Sequence, residues 1–439
     1  MIILAITGSI YLFKPQLDAL MYPNLLFVQP ATSVLPYQQQ MQVVQQRYPD
    51  AAISQITPSV APDRSTEVTF TLNDHKRMAF VNPYTAEVLG DRDEEQNLQA
   101  IVRKIHGELL IGKTGDYLVE LAACWGLVLL LTGLYLWFPR GGSSIFGTFL
   151  PRLRSPSRRI FWRDLHSVVG LYSSILIAFL ILTGLPWSGF WGESFAQIWN
   201  RFPAYVFDGQ TPKSTVLTGS LNQQGTQVVP WAVEQLPMPQ STQSAQSAQS
   251  GTGEHHPSGG GTIEHAAISL DQVMEWARSQ NAPPGFSVTL PQGETGVYTV
   301  AAYPADSTQE MTAHLDQYTG KVLADVRWQD YGMVPKAVEL GISIHMGKYF
   351  GWANQLLMFL TCLMIILLSV SGVILWWRRR PAGRLGAPEL PNNGLWKVPL
   401  AIVAILGVAF PLVGISLIAV LLLDYLVLAR VPTLKRLLS

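Results

Sequence analysis

Two stretches of matching sequence decide the fold: HGELLIGKTGDYLVELAACWGLVLLLTGLYLW (residues 106–137) and HMGKYFGWANQLLMFLTCLMIILLSVSGVILW (residues 345–376). In each, a histidine is followed by glycine after 6 residues, by a second glycine after 27 and by tryptophan after 31. A long apolar run separates the two glycines, and about 20 such residues cross the hydrocarbon core of a bilayer. The sequence therefore predicts two membrane helices, each preceded by a histidine, within a duplicated unit.

The composition is typical of a membrane protein with sizeable polar portions. Of 439 residues, 48% are hydrophobic and 14% are charged, well below the roughly 25% of charged residues in soluble domains. The formal net charge is zero, so nothing favours nucleic acid as a partner. Cys124 and Cys362 lie inside apolar runs and are interpreted as small buried residues rather than as a disulfide.

Further apolar segments complete the membrane part. Residues 1–13 are too short to span a bilayer and lack the basic start and cleavage site of a signal peptide. We expect them to be the second half of a helix that begins before Met1. The remaining core helices are predicted at 117–138, 166–187 and 356–377.

Positive charge sets the expected orientation. Six arginines and no acid lie between 139 and 163, and Arg378–Arg380 follow the last core helix. By the positive-inside rule, both loops are expected to be cytoplasmic. The apolar tail at 395–428 contains Pro411, so it is either one kinked helix or a hairpin, and the charge rule favours the hairpin.

The polar regions predict two α+β modules. The following segments are expected to be regular: helices at 37–48 and 269–279, and strands at 67–72, 77–81, 286–290, 297–302 and 311–315. A Tyr-Thr-x-x-Val-Leu-x-Asp motif begins at Tyr84 and again at Tyr318, which indicates that the modules are repeated as well. His75 and His314 lie in or beside strands and are expected to be surface residues.

A low-complexity insert at 237–261 is expected to be flexible. His255, His256 and His265 are assigned to this insert and are interpreted as solvated, with metal capture as the alternative.

The predicted fold class is an integral membrane α-helical bundle of four core transmembrane helices plus a C-terminal apolar helix or hairpin, with two α+β modules from an internal duplication. The expected boundaries are 1–31 (helix one and its exit), 32–105 (first module), 106–140 (helix two), 141–163 (basic loop), 164–190 (helix three), 191–340 (second module), 341–380 (helix four), 381–394 (loop), 395–430 (C-terminal segment) and 431–439 (tail).

His106 and His345 are the main candidate site. Each lies 11 residues before its apolar span, about 16 Å beyond it if the helix is continuous. Two imidazoles on facing helices can hold a haem iron from both sides, with Lys104, Lys113 or Lys348 near the propionates. A bare metal ion would suit the same symmetry. A single interfacial histidine would more often be a helix cap, but the duplication favours ligands.

Other polar residues are candidates for further roles. His166, at the start of helix three, would serve a second, inner haem whose other ligand would precede Met1. Glu120 and Asp424 are acids in apolar segments, which makes them functional candidates, although each lies near a helix end and can reach water. The small dipeptides Thr7-Gly8, Thr132-Gly133, Thr183-Gly184 and Ser371-Gly372 are expected to mark the seam between helices.

Several motifs resemble those of a known family. They are ITGSIYLFKPQLD (6–18), IHGELLIGKTGDYLVEL (105–121), DLHSVVGLYSSILIAFLILTGLPWSGFW (164–191), DQYTGKVL (316–323), IHMGKYFGWANQ (344–355) and FPLVGISLIAVLLLD (410–424). Together they resemble the PepSY-associated transmembrane family, which includes iron-regulated inner-membrane proteins and ferrisiderophore reductases. The resemblance implies a multi-pass protein of the bacterial inner membrane, periplasmic PepSY modules and, as in reductase members, haem b on His106, His345 and His166.

Three functions follow from these expectations. The first is a reductase of Fe(III)-siderophores or other ferric chelates at the periplasmic face, with a cytoplasmic or quinone electron donor. The second is a non-catalytic accessory protein whose PepSY modules bind a periplasmic protein or peptide. A transporter is disfavoured, because no matched pair of helices is broken at mid-membrane.

Overall fold

A computed structural model describes residues 1–140, 144–199, 206–207, 212, 214–225, 227–242, 268–381, 384–386, 396–428 and 430–431. The chain forms two compact units. The membrane unit comprises Met1–Lys14, Ile101–Ala196 and Gly341–Ser439, and the sheet unit comprises Pro15–Ala100 and Gln197–Leu340.

The α-helices in chain order are α1 (Ile2–Leu12), α2 (Lys14–Met21), α3 (Pro23–Leu26), α4 (Tyr37–Arg47), α5 (Leu98–Glu108), α6 (Lys113–Trp137), α7 (Arg158–Gly184), α8 (Trp191–Trp199), α9 (Leu270–Ser279), α10 (Met333–His345), α11 (Trp352–Arg379), α12 (Lys397–Ala409) and α13 (Pro411–Leu423). The strands are β1 (Ala52–Thr57), β2 (Thr66–Leu72), β3 (His75–Val81), β4 (Val88–Asp93), β5 (Ser287–Thr289), β6 (Val297–Ala302), β7 (Met311–Asp316) and β8 (Val322–Arg327).

Among the described residues, three helices are long and apolar enough to cross a membrane: Lys113–Trp137, Arg158–Trp187 and Trp352–Arg379. They correspond to the second, third and fourth predicted core helices. Helix α1, the expected end of the first, is apolar but has only 11 residues. Side chains such as Ile175 on α7 remain 80% exposed within the protein, as expected for a surface that faces lipid.

A buried apolar cluster joins the helices of the membrane unit. Ala5 of α1, Cys124 of α6, Ile181 of α7 and Cys362 of α11 belong to one buried apolar cluster. Both cysteines are free thiols, in agreement with the prediction that they are buried packing residues.

The C-terminal segment folds as two short helices rather than one. The helical hydrogen-bond pattern is interrupted at Phe410, before Pro411 begins α13. Gly407 of α12 and Gly414 of α13 meet so closely that a Cβ at Gly414 would lie 2.4 Å from the carbonyl oxygen of Gly407. This contact joins the two helices into a hairpin. The charge pattern had favoured a hairpin over one kinked helix.

The sheet unit contains one antiparallel sheet of eight strands in the order β4-β3-β2-β1-β5-β6-β7-β8. The two polar regions of the chain each contribute four strands, and β1 pairs with β5 where they meet. These regions were predicted to be separate modules, and the pairing between them was not predicted. Helices α4 and α9 pack on the sheet through buried side chains such as Val44 and Met274.

The two halves of the sheet have matching local structure. Asn82 Oδ1 accepts a hydrogen bond from the backbone N–H of Tyr84 at 3.0 Å, and Asp316 Oδ1 accepts one from the backbone N–H of Tyr318 at 2.9 Å. Each turn joins the third and fourth strands of its half. These bonds give the repeated motif a structural role. In each copy, the Asx residue two positions before the tyrosine N–H starts the turn, and its side chain stabilises that turn.

The two strand histidines differ in environment. His75 is exposed, as predicted. The prediction for His314 is wrong, because its side chain is 0% exposed. Its ring nitrogens pair with Thr299 Oγ1 at 2.9 Å and Thr218 Oγ1 at 3.2 Å, and these partners satisfy the ring within the core. Burial lowers the pKa of His314 to about 4.

Some of the sequence predictions concern residues that lie outside the described part of the chain. Residues 243–261 of the low-complexity insert lie outside the described residues, as do His255, His256 and His265. Most of the loop at 381–394 and residues 432–439 of the tail also lie outside them.

Candidate functional site

His106 lies near the end of α5, in a helix separate from the membrane span. Helix α5 ends at Glu108, and α6 begins at Lys113. Between them, Leu109 has φ 50°, Leu110 has φ 63° and Gly112 has φ 60°, values that interrupt any right-handed helix. The distance of about 16 Å beyond the hydrocarbon edge held only for a continuous helix, and the helix is interrupted here.

His345 has the equivalent position in the second copy of the motif. It is the last residue of α10, and α11 begins at Trp352 after a break with φ 71° at Gly347 and 61° at Gly351. Gly112 and Gly351 precede α6 and α11 with almost identical backbone angles, φ/ψ 60°/−144° and 61°/−143°. The glycine six residues after each histidine therefore marks the point where the chain re-enters a helix.

Both imidazoles are hydrogen-bonded through Nδ1 to a threonine on a neighbouring helix. His106 Nδ1 lies 3.0 Å from Thr7 Oγ1 of α1. His345 Nδ1 lies 2.9 Å from Thr183 Oγ1 of α7. The backbone carbonyl groups of Leu4 and Leu180 also contact the rings of His106 and His345, respectively. No side chain among the described residues hydrogen-bonds to either Nε2. Each ring therefore keeps one nitrogen available to a ligand.

Close helix packing brings His345 to Thr183. A Cβ at Gly341 of α10 would lie 2.7 Å from Thr183 Cγ2, so this glycine is required for the approach of α10 to α7. His345 is four residues later and lies one turn along the same face. Gly184 then borders the ring, since its Cβ position is 3.6 Å from His345 Cε1.

The two histidines lie close enough to interact electrostatically. Burial and, to a smaller extent, the neighbouring His106 lower the pKa of His345 to about 3. Burial also lowers the pKa of His106. Both rings are consequently neutral at physiological pH, which is the state in which imidazole binds metal ions.

His166 belongs to a different part of the membrane unit. It lies near the start of α7, and its Nδ1 is 2.7 Å from Ser371 Oγ of α11. The Cβ position of Gly372 is 3.6 Å from His166 Cε1. Thr183, which holds His345, is 17 residues further along α7, or about 25 Å at the helical rise. His166 is therefore separated from the other two histidines.

The fourth small dipeptide, Thr132-Gly133, has no histidine beside it among the described residues. Thr132 Oγ1 donates to the carbonyl oxygen of Val128 at 2.7 Å. Apart from its chain neighbours and its own helix backbone, no atom of the described residues lies within 4 Å of a Cβ at Gly133. These dipeptides were predicted to mark a helix seam. That prediction did not include the hydrogen bonds that the hydroxyl groups of the other three dipeptides form with histidine rings. Their recurrence in the sequence was the signal that could have linked them to the histidines.

Glu120 is buried rather than directed towards water. Its side chain is 1% exposed. Glu120 Oε2 accepts hydrogen bonds from the backbone N–H groups of Phe190 at 2.9 Å and Trp191 at 3.1 Å, at the start of α8. A carboxylate there satisfies N–H groups that the helix itself leaves unpaired. Asp424, the other acid that sequence analysis selected, is exposed.

A bare metal ion and a haem iron require different numbers of protein ligands. In the part of the chain that the structure describes, no cluster of three or more His, Cys, Asp or Glu side chains could hold a metal ion. A haem iron needs only two protein ligands, because the macrocycle supplies the other four. Of the lysines considered for the propionates, Lys113 is exposed and lies 3.9 Å from Glu193.

Comparisons with known proteins place the chain in a family. No curated protein matches the sequence. A family model described as the PepSY-associated TM region matches residues 1–379. The match covers the three spanning helices, the sheet and all three membrane histidines, and the chain therefore belongs to the PepSY-associated transmembrane family.

Proposed function

We propose that this chain is an electron-transfer protein that binds haem b between His106 and His345. The observation that carries the proposal is the matched pair of neutral imidazoles, each hydrogen-bonded at Nδ1 to a threonine and each without a side-chain partner at Nε2 among the described residues. Metal-binding histidines generally have this arrangement, with one nitrogen on the metal and the other on a neighbouring acceptor.

In this proposal the protein supplies binding and orientation. His106 and His345, which lie on the separate helices α5 and α10, would hold the haem iron. When bound, haem supplies one-electron transfer.

The proposed reaction is the reduction of a ferric chelate such as an Fe(III)-siderophore. One electron, taken from a cytoplasmic donor or from a quinol, converts Fe(III) to Fe(II). Hard oxygen ligands hold Fe(II) less strongly, so iron leaves the chelate. The arginines between 139 and 163 support an inner-membrane orientation in which this loop is cytoplasmic and the sheet unit is periplasmic.

His166 is the proposed ligand of a second haem nearer the other membrane face. Its Nδ1 is held by Ser371 as the other two histidines are held by threonine. The duplicated, four-helix organisation predicted from the sequence is part of the same proposal. In it, Thr132-Gly133 would face the second histidine ligand of this haem, as the other dipeptides face His106, His345 and His166. The alternative function is an accessory protein whose sheet unit binds a periplasmic protein or peptide.

The visible absorption spectrum of the full-length protein in detergent tests the proposal. We expect Soret and α bands that respond to dithionite, and loss of most of this signal in His106→Ala and His345→Ala. His75→Ala is the control, because His75 is exposed. A colourless protein that does not take up added haem would exclude the proposed electron-transfer function. The accessory function would then be the remaining proposal.

A further inference from the structure

We infer that Thr7 and Thr183 are positioning residues that fix the tautomer and orientation of the two haem-binding histidines. This inference rests on the proposed haem site and adds the residues that prepare its ligands. Neither threonine touches the proposed iron position; each acts through the Nδ1 atom of its histidine.

The direction of the hydrogen bond between each threonine and its histidine depends on which acceptor the hydroxyl proton is donated to. Thr7 Oγ1 donates to the carbonyl oxygen of Ile3 at 2.7 Å, and Thr183 Oγ1 donates to that of Phe179 at 2.7 Å. A hydroxyl group has one proton and two lone pairs, so an oxygen that already donates can only accept from the ring. Nδ1 must then carry the proton, and Nε2 keeps the lone pair that binds iron.

The glycine after each threonine fixes the ring position. The Cβ position of Gly8 lies 3.4 Å from His106 Cε1, and that of Gly184 lies 3.6 Å from His345 Cε1. The edge of each ring therefore rests on a backbone surface without a side chain. With Nδ1 bonded and Cε1 in contact, the ring has little freedom to turn.

The third histidine shows the same arrangement, which argues against a chance contact. Ser371 Oγ donates to the carbonyl oxygen of Leu368 at 3.2 Å and lies 2.7 Å from His166 Nδ1. Gly372 follows and borders that ring. Thr361 of α11 also donates to the backbone, at 2.8 Å to Leu357, but has no histidine beside it among the described residues. Bonding of a hydroxyl to its own helix is therefore not sufficient to recruit a ring.

Holding Nδ1–H on an oxygen has two consequences for the ligand. It aims Nε2 in one direction, and it raises the basicity of the imidazole as a donor. A more basic ligand stabilises ferric over ferrous iron and lowers the reduction potential of the haem. Loss of the hydroxyl should therefore weaken haem binding and move the potential in the positive direction.

The test compares Thr183→Val, Thr183→Ser and Thr361→Val in the full-length protein. Valine keeps the shape of threonine and removes the oxygen, and serine keeps the oxygen. Thr361→Val removes a fully buried hydroxyl group from α11. Thr183→Val should reduce haem affinity by about 10–100-fold and shift the reduction potential positively. Thr183→Ser should restore both properties, and Thr361→Val should leave both unchanged.

A second measurement examines the haem-free protein. In full-length protein labelled with ¹⁵N-histidine, we expect the Nδ1–H tautomer at position 345, replaced by a mixture of tautomers in Thr183→Val. An Nε2–H tautomer in the wild-type protein, or wild-type affinity and potential in Thr183→Val, would overturn the inference. Failure of the haem proposal is distinguishable, because it would appear as absence of haem binding in the wild-type protein itself.

Discussion

At the scale of single residues, Glu120 illustrates how a buried charge can serve the fold. Its Oε2 accepts from two backbone N–H groups, of Phe190 and Trp191. Glu120→Ala would leave these donors unpaired and should lower the free energy of unfolding by about 1–3 kcal/mol. Thermal unfolding in detergent measures the change, with Asp424→Ala as the control for an exposed acid. Equal stability of the two variants would contradict the structural role of Glu120.

A second residue-scale prediction concerns pH. Burial raises the pKa of Glu339 to about 7, and this carboxyl accepts from the backbone N–H of Ala232 at 2.9 Å. Burial raises the pKa of Glu234 to about 7 as well. Because a raised pKa means that the folded state binds the proton more tightly, the stability that Glu339 contributes is complete below pH about 4 and declines as pH rises through 7.

The neutral isostere Glu339→Gln isolates this effect. We expect the variant to match the wild-type protein at pH 5 and to exceed it at pH 8, by on the order of 1–3 kcal/mol. Chemical unfolding curves at the two pH values measure the difference. Glu87→Gln, at an exposed position, should show no such change. If Glu339→Gln were less stable at both values, the carboxyl would have to be ionised in the folded state.

At the scale of elements, two glycines control where helices restart. Gly112 and Gly351 adopt φ near 60°. Apart from chain neighbours, no atom of the described part of the chain lies within 4 Å of a Cβ at either position, so glycine is required there for its backbone conformation and not for lack of space. Gly112→Ala and Gly351→Ala should each cost about 1–3 kcal/mol. Gly133→Ala is the matched control, since its surroundings are equally open and it lies inside α6. Unchanged melting temperatures for all three variants would refute this account.

The same elements show what the sequence could and could not predict. The spacing from His106 to Gly112 predicted an equivalent pair of histidines, because it recurs at His345. The helix breaks after them were missed, since positive φ at Leu109 and Leu110 has no signature in their residue type. His314 was misplaced for a related reason: the threonines that satisfy its ring come from distant parts of the chain.

At the scale of the whole molecule, the pairing of β1 with β5 makes the two halves of the sheet a single unit. Ile56 and Val288 are register partners at this joint and are fully buried. Ile56→Ala should destabilise the sheet unit by about 2–5 kcal/mol, and both halves should still unfold together. Calorimetry that resolved two separate sheet transitions would contradict a shared core. This joint was not predictable from local patterns, because its strands are more than 200 residues apart.

The most direct test of the central claim is electron paramagnetic resonance of the full-length ferric protein. If His106 and His345 bind one iron from opposite sides, the wild-type protein should give a low-spin signal of two imidazole ligands. Either substitution to alanine should abolish that signal or convert it to a high-spin one. A low-spin signal that survived in both His106→Ala and His345→Ala would contradict the claim that these two histidines share one haem.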